Sequence, residues 1–490
     1  MRADTGRRVT CHECVRGLTR VFGSTSTQYS PREYEPELAT KEGTFMRGYK
    51  IYLLAGLIVV TWALTPRAMA VPSYARQTGL PCNACHYTPP ELNPAGRLFK
   101  LTGYVQKAKG TDIIAQADKR HAGLDLLSTL PLSAWFETSF TSTNADQPGT
   151  QNGSAEFPQD ISLFLAGAWA SHVGSFLQVT YDAQANNLSM DNTDIRAANE
   201  GKLWGKDWVY GVTMNNNPTL EDLWNDTPAW GYPFIADDQA PTPSASPLID
   251  GALAADVAGL GAYTMWDNHW YFAGTLYRSD HIGASQPTDG SNQSYNIQGV
   301  APYWRFAWQT VGRTNSLEVG AYGIHMKSTP GGITGPEDGY TDWAVDSQYD
   351  RVIGKDVLSL RGTYIRENAS LVASYDQGAV VQSHHYLNSG NINAEYHFGN
   401  RYSAAFGWFG ITGTKDPVLY APGSVNGSAN GDPKSDGYIA NLSYFPVQNI
   451  DLAFQYTGYS TFNGASKNYD GSGRNASDNN TAYLLARFVF

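Results

Sequence analysis

The stretch Ile450-Asp451-Leu452-Ala453-Phe454-Gln455-Tyr456-Thr457 puts Ile, Leu, Phe and Tyr on one side of an extended chain and Asp, Ala, Gln and Thr on the other. A period of two with one greasy and one polar face marks a strand between two solvents. The pattern returns from about residue 126 to the end. Ile161, Leu163, Leu165, Gly167 and Trp169 alternate with Ser162, Phe164, Ala166 and Ala168, and Leu177, Val179 and Tyr181 with Gln178, Thr180 and Asp182. Trp304, Phe306 and Trp308 alternate with Tyr303, Arg305, Ala307 and Gln309, and Ile392, Ala394, Tyr396 and Phe398 with Asn393, Glu395 and His397.

The connections identify the two solvents. Tight turns fall near 171–174, 201–206, 267–268, 310–314, 351–355, 399–400 and 446–449. Between them lie longer polar loops near 143–158, 183–191, 216–250, 281–295, 328–339, 369–385, 413–435 and 461–479. Short turns alternating with long loops are the rule for outer-membrane barrels. The expected fold is all-β: an antiparallel, porin-like transmembrane β-barrel of roughly 16 strands over 122–490, with both ends on the periplasmic side. The last strand, Tyr483-Leu484-Leu485-Ala486-Arg487-Phe488-Val489-Phe490, resembles the C-terminal signal of bacterial outer-membrane proteins. A soluble β-sandwich or β-helix explains neither the alternating loops nor the terminal Phe.

Composition agrees. The 490 residues are 42% hydrophobic and 13% aromatic but only 16% charged, with 49 Gly and 30 Tyr. A mean hydropathy of -0.37 excludes a bundle of membrane helices. The net charge of -11 argues against nucleic acid as a partner. All four cysteines lie at or before Cys85, so the strand-rich part forms no disulfides.

Residues 1–45 lack periodicity and read as an over-extended gene start or dispensable leader; their Cys11-His12-Glu13-Cys14 is followed by Val15, not His. Met46 opens a signal peptide over 46–70: Arg47 and Lys50, an apolar run from Ile51 to Leu64, then Ala68-Met69-Ala70 as cleavage site. The mature chain then begins at Val71 in the periplasm.

Residues 71–121 carry Cys82-Asn83-Ala84-Cys85-His86, the C-x-x-C-H attachment signature of a c-type haem. Two thiols three residues apart can add to both vinyl groups of one haem, and the adjacent histidine can ligate the iron. A zinc or redox C-x-x-C is the rival, but no second pair follows to complete a zinc site. Cys82 and Cys85 are thus expected to hold one covalent haem c, with His86 as proximal ligand. His121, the next histidine, is a candidate distal ligand; the rest of the chain or water are the alternatives. Asn93-Pro94 reads as an N-cap and first helical residue of an amphipathic helix reaching about Gln106. Leu98, Leu101 and Val105 share one face, and Arg97 and Lys100 are candidates to pair with haem propionates or to stay solvated. About 50 residues bury too little core to stand alone. A barrel of this size encloses an aqueous lumen, which can house the segment as a plug.

These residues carry a family likeness. Pro72-Ser73-Tyr74-Ala75-Arg76-Gln77-Thr78-Gly79, Cys82 to His86, Pro90-Glu91-Leu92, Gly96-Arg97 and Phe99-Lys100-Leu101-Thr102-Gly103-Tyr104 resemble the fused monohaem cytochrome–porins of bacterial outer membranes, the group that includes iron(II)-oxidising cytochromes. Asn217-Pro218, Asp222, Trp224-Asn225, Pro228-Ala229-Trp230 and Pro233 form a second match. The resemblance implies a porin in outer-membrane lipid that carries one haem c. It would take electrons from extracellular Fe(II), or another reductant, and pass them to a periplasmic c-type cytochrome. It assigns no catalytic residue. Glu221, Asp222, Asp237, Asp238 and Asp256 are candidate attractors of Fe(II), or ordinary loop charge. The alternatives are electron transfer with another donor or outward, a channel with a structural haem plug whose selectivity is set by Arg305, Arg361, Glu395 and Asp451, and a haem enzyme. The last lacks a distal acid–base pair near the motif.

Overall fold

The computed structural model describes residues 72–106, 114–115, 126–127, 130–224, 237, 239–280, 295–330, 332 and 334–490. The leader at 1–45, the signal peptide at 46–70, Cys11, Cys14, His121 and Asp238 lie outside the described residues. The barrel strands are β1 (Leu132–Thr143), β2 (Asp160–Ala170), β3 (Val173–Asp182), β4 (Asn187–Leu203), β5 (Lys206–Asn215), β6 (Val257–Trp266), β7 (Trp270–Ser279) and β8 (Ala301–Val311). They continue as β9 (Asn315–Ser328), β10 (Asp338–Ile353), β11 (Asp356–Ser370), β12 (His384–Phe398), β13 (Tyr402–Gly413), β14 (Ser435–Tyr444), β15 (Ile450–Thr461) and β16 (Thr481–Val489). Each pairs antiparallel with its neighbours, and the ring closes. A three-residue piece, Ser154–Glu156, pairs with β1 ahead of β2.

Closure runs through the chain's last residues. β16 pairs with β1 from Thr481↔Thr143 to Val489↔Trp135. Phe490 and Ala134 then exchange backbone hydrogen bonds of 2.8 and 3.1 Å, so the terminal Phe completes the seam. All seven tight turns fall at one end of the barrel and the eight longer connections at the other. One connection is shorter than expected. β3 and β4 extend the ladder to Asp182↔Asn187, leaving 183–186 rather than 183–191. Polar side chains there do not preclude pairing, because ladder hydrogen bonds satisfy the backbone whatever the side chains do.

The alternation resolves into outside and inside. Leu452 and Phe454 point outward and are exposed, while Asp451, Ala453 and Gln455 are buried. Leu163, Leu276, Ile392, Phe406 and Leu484 join the outward apolar surface, and Trp204, Trp270, Phe398, Tyr402 and Tyr444 ring its turn end. An apolar band with an aromatic girdle is the lipid-facing surface of a transmembrane barrel. Inward lie Arg305, Arg361, Glu395 and Asp451, all buried.

Arg361 and Glu395 are buried against the N-terminal segment, which enters the lumen beside them. It contains α1 (Ser73–Thr78), a 3-10 turn at Cys82–Ala84 and α2 (Pro94–Leu101). Tyr74 donates to the Ser175 carbonyl of β3 at 2.7 Å. The Gln77 amide accepts from the Ala168 N–H of β2 at 2.8 Å and donates to the Tyr104 carbonyl at 2.7 Å. Arg97 reaches Ser316 of β9 and Asp350 of β10. β2 and β10 lie on opposite sides of the ring, so the segment spans the lumen.

Two expectations for α2 need correction. The helix stops at Leu101 rather than near Gln106, because Gly103 and Tyr104 take positive φ (75° and 60°) and turn the chain. Its buried face is not the Leu98–Leu101–Val105 stripe: Leu98 is exposed, and Arg97, Phe99, Lys100 and Leu101 are buried. The lumen is lined with carboxylates and carbonyls, so the cations face inward.

Candidate functional site

The turn that carries Cys82, Cys85 and His86 is fixed by local chemistry. Asn93 is the N-cap of α2, as expected: its Oδ1 accepts from Ala95 and Gly96 N–H, both at 3.0 Å. The same side chain donates to the Ala84 carbonyl at 3.1 Å, and the Asn93 N–H to the Cys85 carbonyl at 2.9 Å. One residue thus joins helix to turn. Gly96 permits the contact, since a Cβ there would overlap the Cys85 carbonyl oxygen. Asn83 and Gln448, in the turn before β15, exchange hydrogen bonds of 3.4 and 3.3 Å.

His86 Nδ1 lies 3.2 Å from the Glu91 carbonyl. A carbonyl only accepts, so Nδ1 carries the proton and Nε2 keeps its lone pair. Desolvation lowers the ring's pKa to about 4 and holds it neutral. Desolvation also raises both cysteine thiols, the opposite of the acidic thiolate that a redox C-x-x-C needs. Two neutral thiols on one turn and an adjacent imidazole with Nε2 unprotonated fit the donor set of a haem c.

A cleft at the turn end of the lumen is lined by Cys82, His86, Tyr87, Thr88 and, from the wall and its turns, His397 and Phe445. Thr88 donates to Glu395 Oε1 at 2.9 Å and lies 3.1 Å from His397 Nδ1. Glu91 forms an ion pair with Arg361 of β11. Glu91, Glu395 and His397 thereby meet, all buried. Glu395 and His397 were legible as inward-facing, but no signal in the sequence joins them to Glu91, some 300 positions away.

A second cluster lies deeper. The loop after β5 folds inward, so Glu221 and Asp222 are fully buried and are not loop charges open to solvent. Asp237 is half-buried, its Oδ1 accepting from Thr141 at 3.0 Å, and Asp256 is also half-buried. Arg305 contacts Asp346, Asp222 and Glu318 at 2.5, 3.2 and 3.4 Å and lies over the Trp224 and Tyr322 rings. Arg196 pairs with Asp194 at 2.7 Å and donates to the Leu220 carbonyl at 3.0 Å. The Lys100 ammonium donates to the Asp222 carbonyl at 3.0 Å. Arg97 and Lys100 are therefore engaged by the wall and the infolded loop, neither solvated nor free for propionates.

No protein family's sequence profile matches this chain, and no curated protein does. Among solved structures, the chain is similar to the outer membrane channel DcaP of Acinetobacter baumannii, with 13% identity and a TM-score of 0.44 over 73% of this chain and 96% of that one. It is also similar to Salmonella typhi OmpF, solved with daunomycin, at 13% identity and a TM-score of 0.45 over 73% and 97%. For an anion-selective porin of Comamonas acidovorans the values are 12% and 0.42 over 73% and 98%.

Proposed function

We propose that this chain is an outer-membrane electron-transfer barrel. One haem c would be held on Cys82 and Cys85, with extracellular Fe(II) as donor and a periplasmic c-type cytochrome as acceptor. The observation that carries this reading is the C-x-x-C-H turn seated in the lumen, its His86 Nε2 unprotonated because Nδ1 is tied to the Glu91 carbonyl. A bound haem would supply a one-electron centre inside the insulating bilayer.

The chain's own residues do the rest. The Cys82 and Cys85 thiols would form the two thioether links, and His86 Nε2 would supply a nitrogen ligand to the iron. Asn93 and Gly96 hold the turn against α2. Tyr74, Gln77 and Arg97 fix the segment across the lumen. With a haem held there, electrons would cross while the metal donor stayed outside, where oxidised iron can precipitate harmlessly.

The test is an absorbance spectrum of outer membranes containing the exported, haem-matured protein. Sharp reduced bands on anaerobic addition of Fe(II) support the reading. Bands with dithionite alone remove Fe(II) as donor and leave another donor, or the outward direction. No haem spectrum at all, or haem staining that survives the C82A/C85A double substitution, overturns attachment. The polar lumen wall favours one other reading, a channel whose plug is structural; ion conductance by a barrel whose haem does not turn over would support it.

A further inference from the structure

The meeting of Glu91, Glu395 and His397 has a chemistry that the haem motif does not use. Thr88 has one hydroxyl proton, and it goes to Glu395 Oε1. The contact from Thr88 Oγ1 to His397 Nδ1 therefore has Nδ1 as donor. That fixes the tautomer and leaves the lone pair on Nε2, an atom that is buried and has no hydrogen-bond partner. It lies 3.9 Å from Glu91 Oε2. A buried lone pair facing a carboxylate is repulsive unless a cation stands between them.

We propose that Glu91, Glu395 and His397 form a binding site for a divalent first-row transition metal that joins the lumen segment to the barrel wall. One nitrogen or oxygen atom from each of the three residues lies within 4.8 Å of one from the other two. Ligands at about 2.0–2.2 Å from one metal are separated by up to ~4.4 Å, so closure needs shifts of a few tenths of an ångström. Glu91 engages Arg361 through Oε1, which leaves Oε2 on the His397 side. Thr88 orients both wall ligands from the outer shell, the role usual for a partner on the second histidine nitrogen. Two carboxylates and one imidazole suit Zn(II), Mn(II) or Fe(II), and the imidazole disfavours Mg(II) and Ca(II). Glu91 belongs to the lumen segment and the other two to β12, so the metal would bridge a seam also held by hydrogen bonds and by the Glu91–Arg361 and Arg97–Asp350 ion pairs. The site needs only side chains and does not rest on the haem reading.

The test is calorimetric titration of Zn(II), with Mg(II) as comparison, into the full-length protein in detergent after chelator treatment. The expected result is one Zn(II) per chain and no comparable Mg(II) binding. His397→Gln should weaken Zn(II) by more than the ~10–100-fold typical of losing an outer-shell partner, and Thr88→Val should fall within that range. Heat-modifiable gel mobility establishes that each variant is a folded barrel. Should His397→Gln not fold, Glu395→Gln carries the same test. Absence of Zn(II) binding would overturn the site and indicate a proton on Nε2 as the cation. Unchanged binding in the folded His397 or Glu395 variant, or equal Mg(II) binding, would also overturn it.

Discussion

Two buried charge clusters share one lumen and each joins carboxylates to a guanidinium, yet they are built differently. In the deeper cluster a guanidinium is central: Arg305 touches Asp222, Glu318 and Asp346 and is capped by two aromatic rings. In the cluster beneath the C-x-x-C-H turn Arg361 pairs with Glu91, and an imidazole, His397, joins Glu91 and Glu395. The difference separates a clamp from a ligand set. A set of carboxylates around a guanidinium is closed by it; a set that includes an imidazole with an unprotonated nitrogen can also take a metal.

The largest effects come from removing each guanidinium. Arg305→Leu strands three buried carboxylates and should cost about 3–5 kcal/mol, read as a lower unfolding temperature and as protease cleavage in the 216–256 loop. Zn(II) should stabilise this variant only as much as it stabilises the unsubstituted protein, through the intact Glu91–Glu395–His397 site. Arg361→Leu should cost a similar amount without metal but gain more from Zn(II) than the unsubstituted protein does, because the metal then also takes the place of the guanidinium beside Glu91. Equal responses to metal would erase the distinction between the clusters.

Smaller changes sharpen the second cluster. Gly96→Ala drives a methyl group into the Cys85 carbonyl and should cost roughly 1–3 kcal/mol. Haem staining should fall while the barrel keeps its heat-modifiable mobility, since the wall does not need the turn. Asn93→Ala removes the cap and the tie to Ala84 for about 1 kcal/mol. Its haem loss should be the milder of the two.

These contrasts also mark what the sequence could disclose. The wall was legible because a strand's two faces see two solvents, so Leu452, Asp451 and their neighbours reveal their sides locally. Asn93 was legible for the same reason: capping is settled within three residues. Pairings across the lumen were not. Arg97 and Lys100 read as surface cations on a short helix, and only the carboxylates and carbonyls of the opposite wall and an infolded loop explain their burial. Glu221 and Asp222 read as loop charge until the loop turned inward. His397 was placed on the correct face, but its partner Glu91 depends on how the segment is seated, and no local pattern encodes that.

Lys100 gives the smallest effect, and its sign is informative. Its ammonium ends in the Arg305 clamp, on the Asp222 carbonyl. Desolvation lowers its pKa to about 8; Arg196 adds to that, and Asp194, Asp222 and Glu221 oppose it without prevailing. A lysine whose folded pKa lies below its unfolded value binds fewer protons folded than unfolded, so stability rises with pH through the interval between them. Relative to Lys100→Met, the protein should gain about 0.8 kcal/mol from pH 7 to 8.5, measured as the difference in unfolding free energy in detergent. A flat difference would mean that the neighbouring carboxylates restore the ammonium fully. The clamp would then be a charge pair in which burial costs Lys100 nothing. The predicted rise instead makes Lys100 a cation held by the geometry of α2 against its own solvation preference, in a cluster whose stability comes from Arg305.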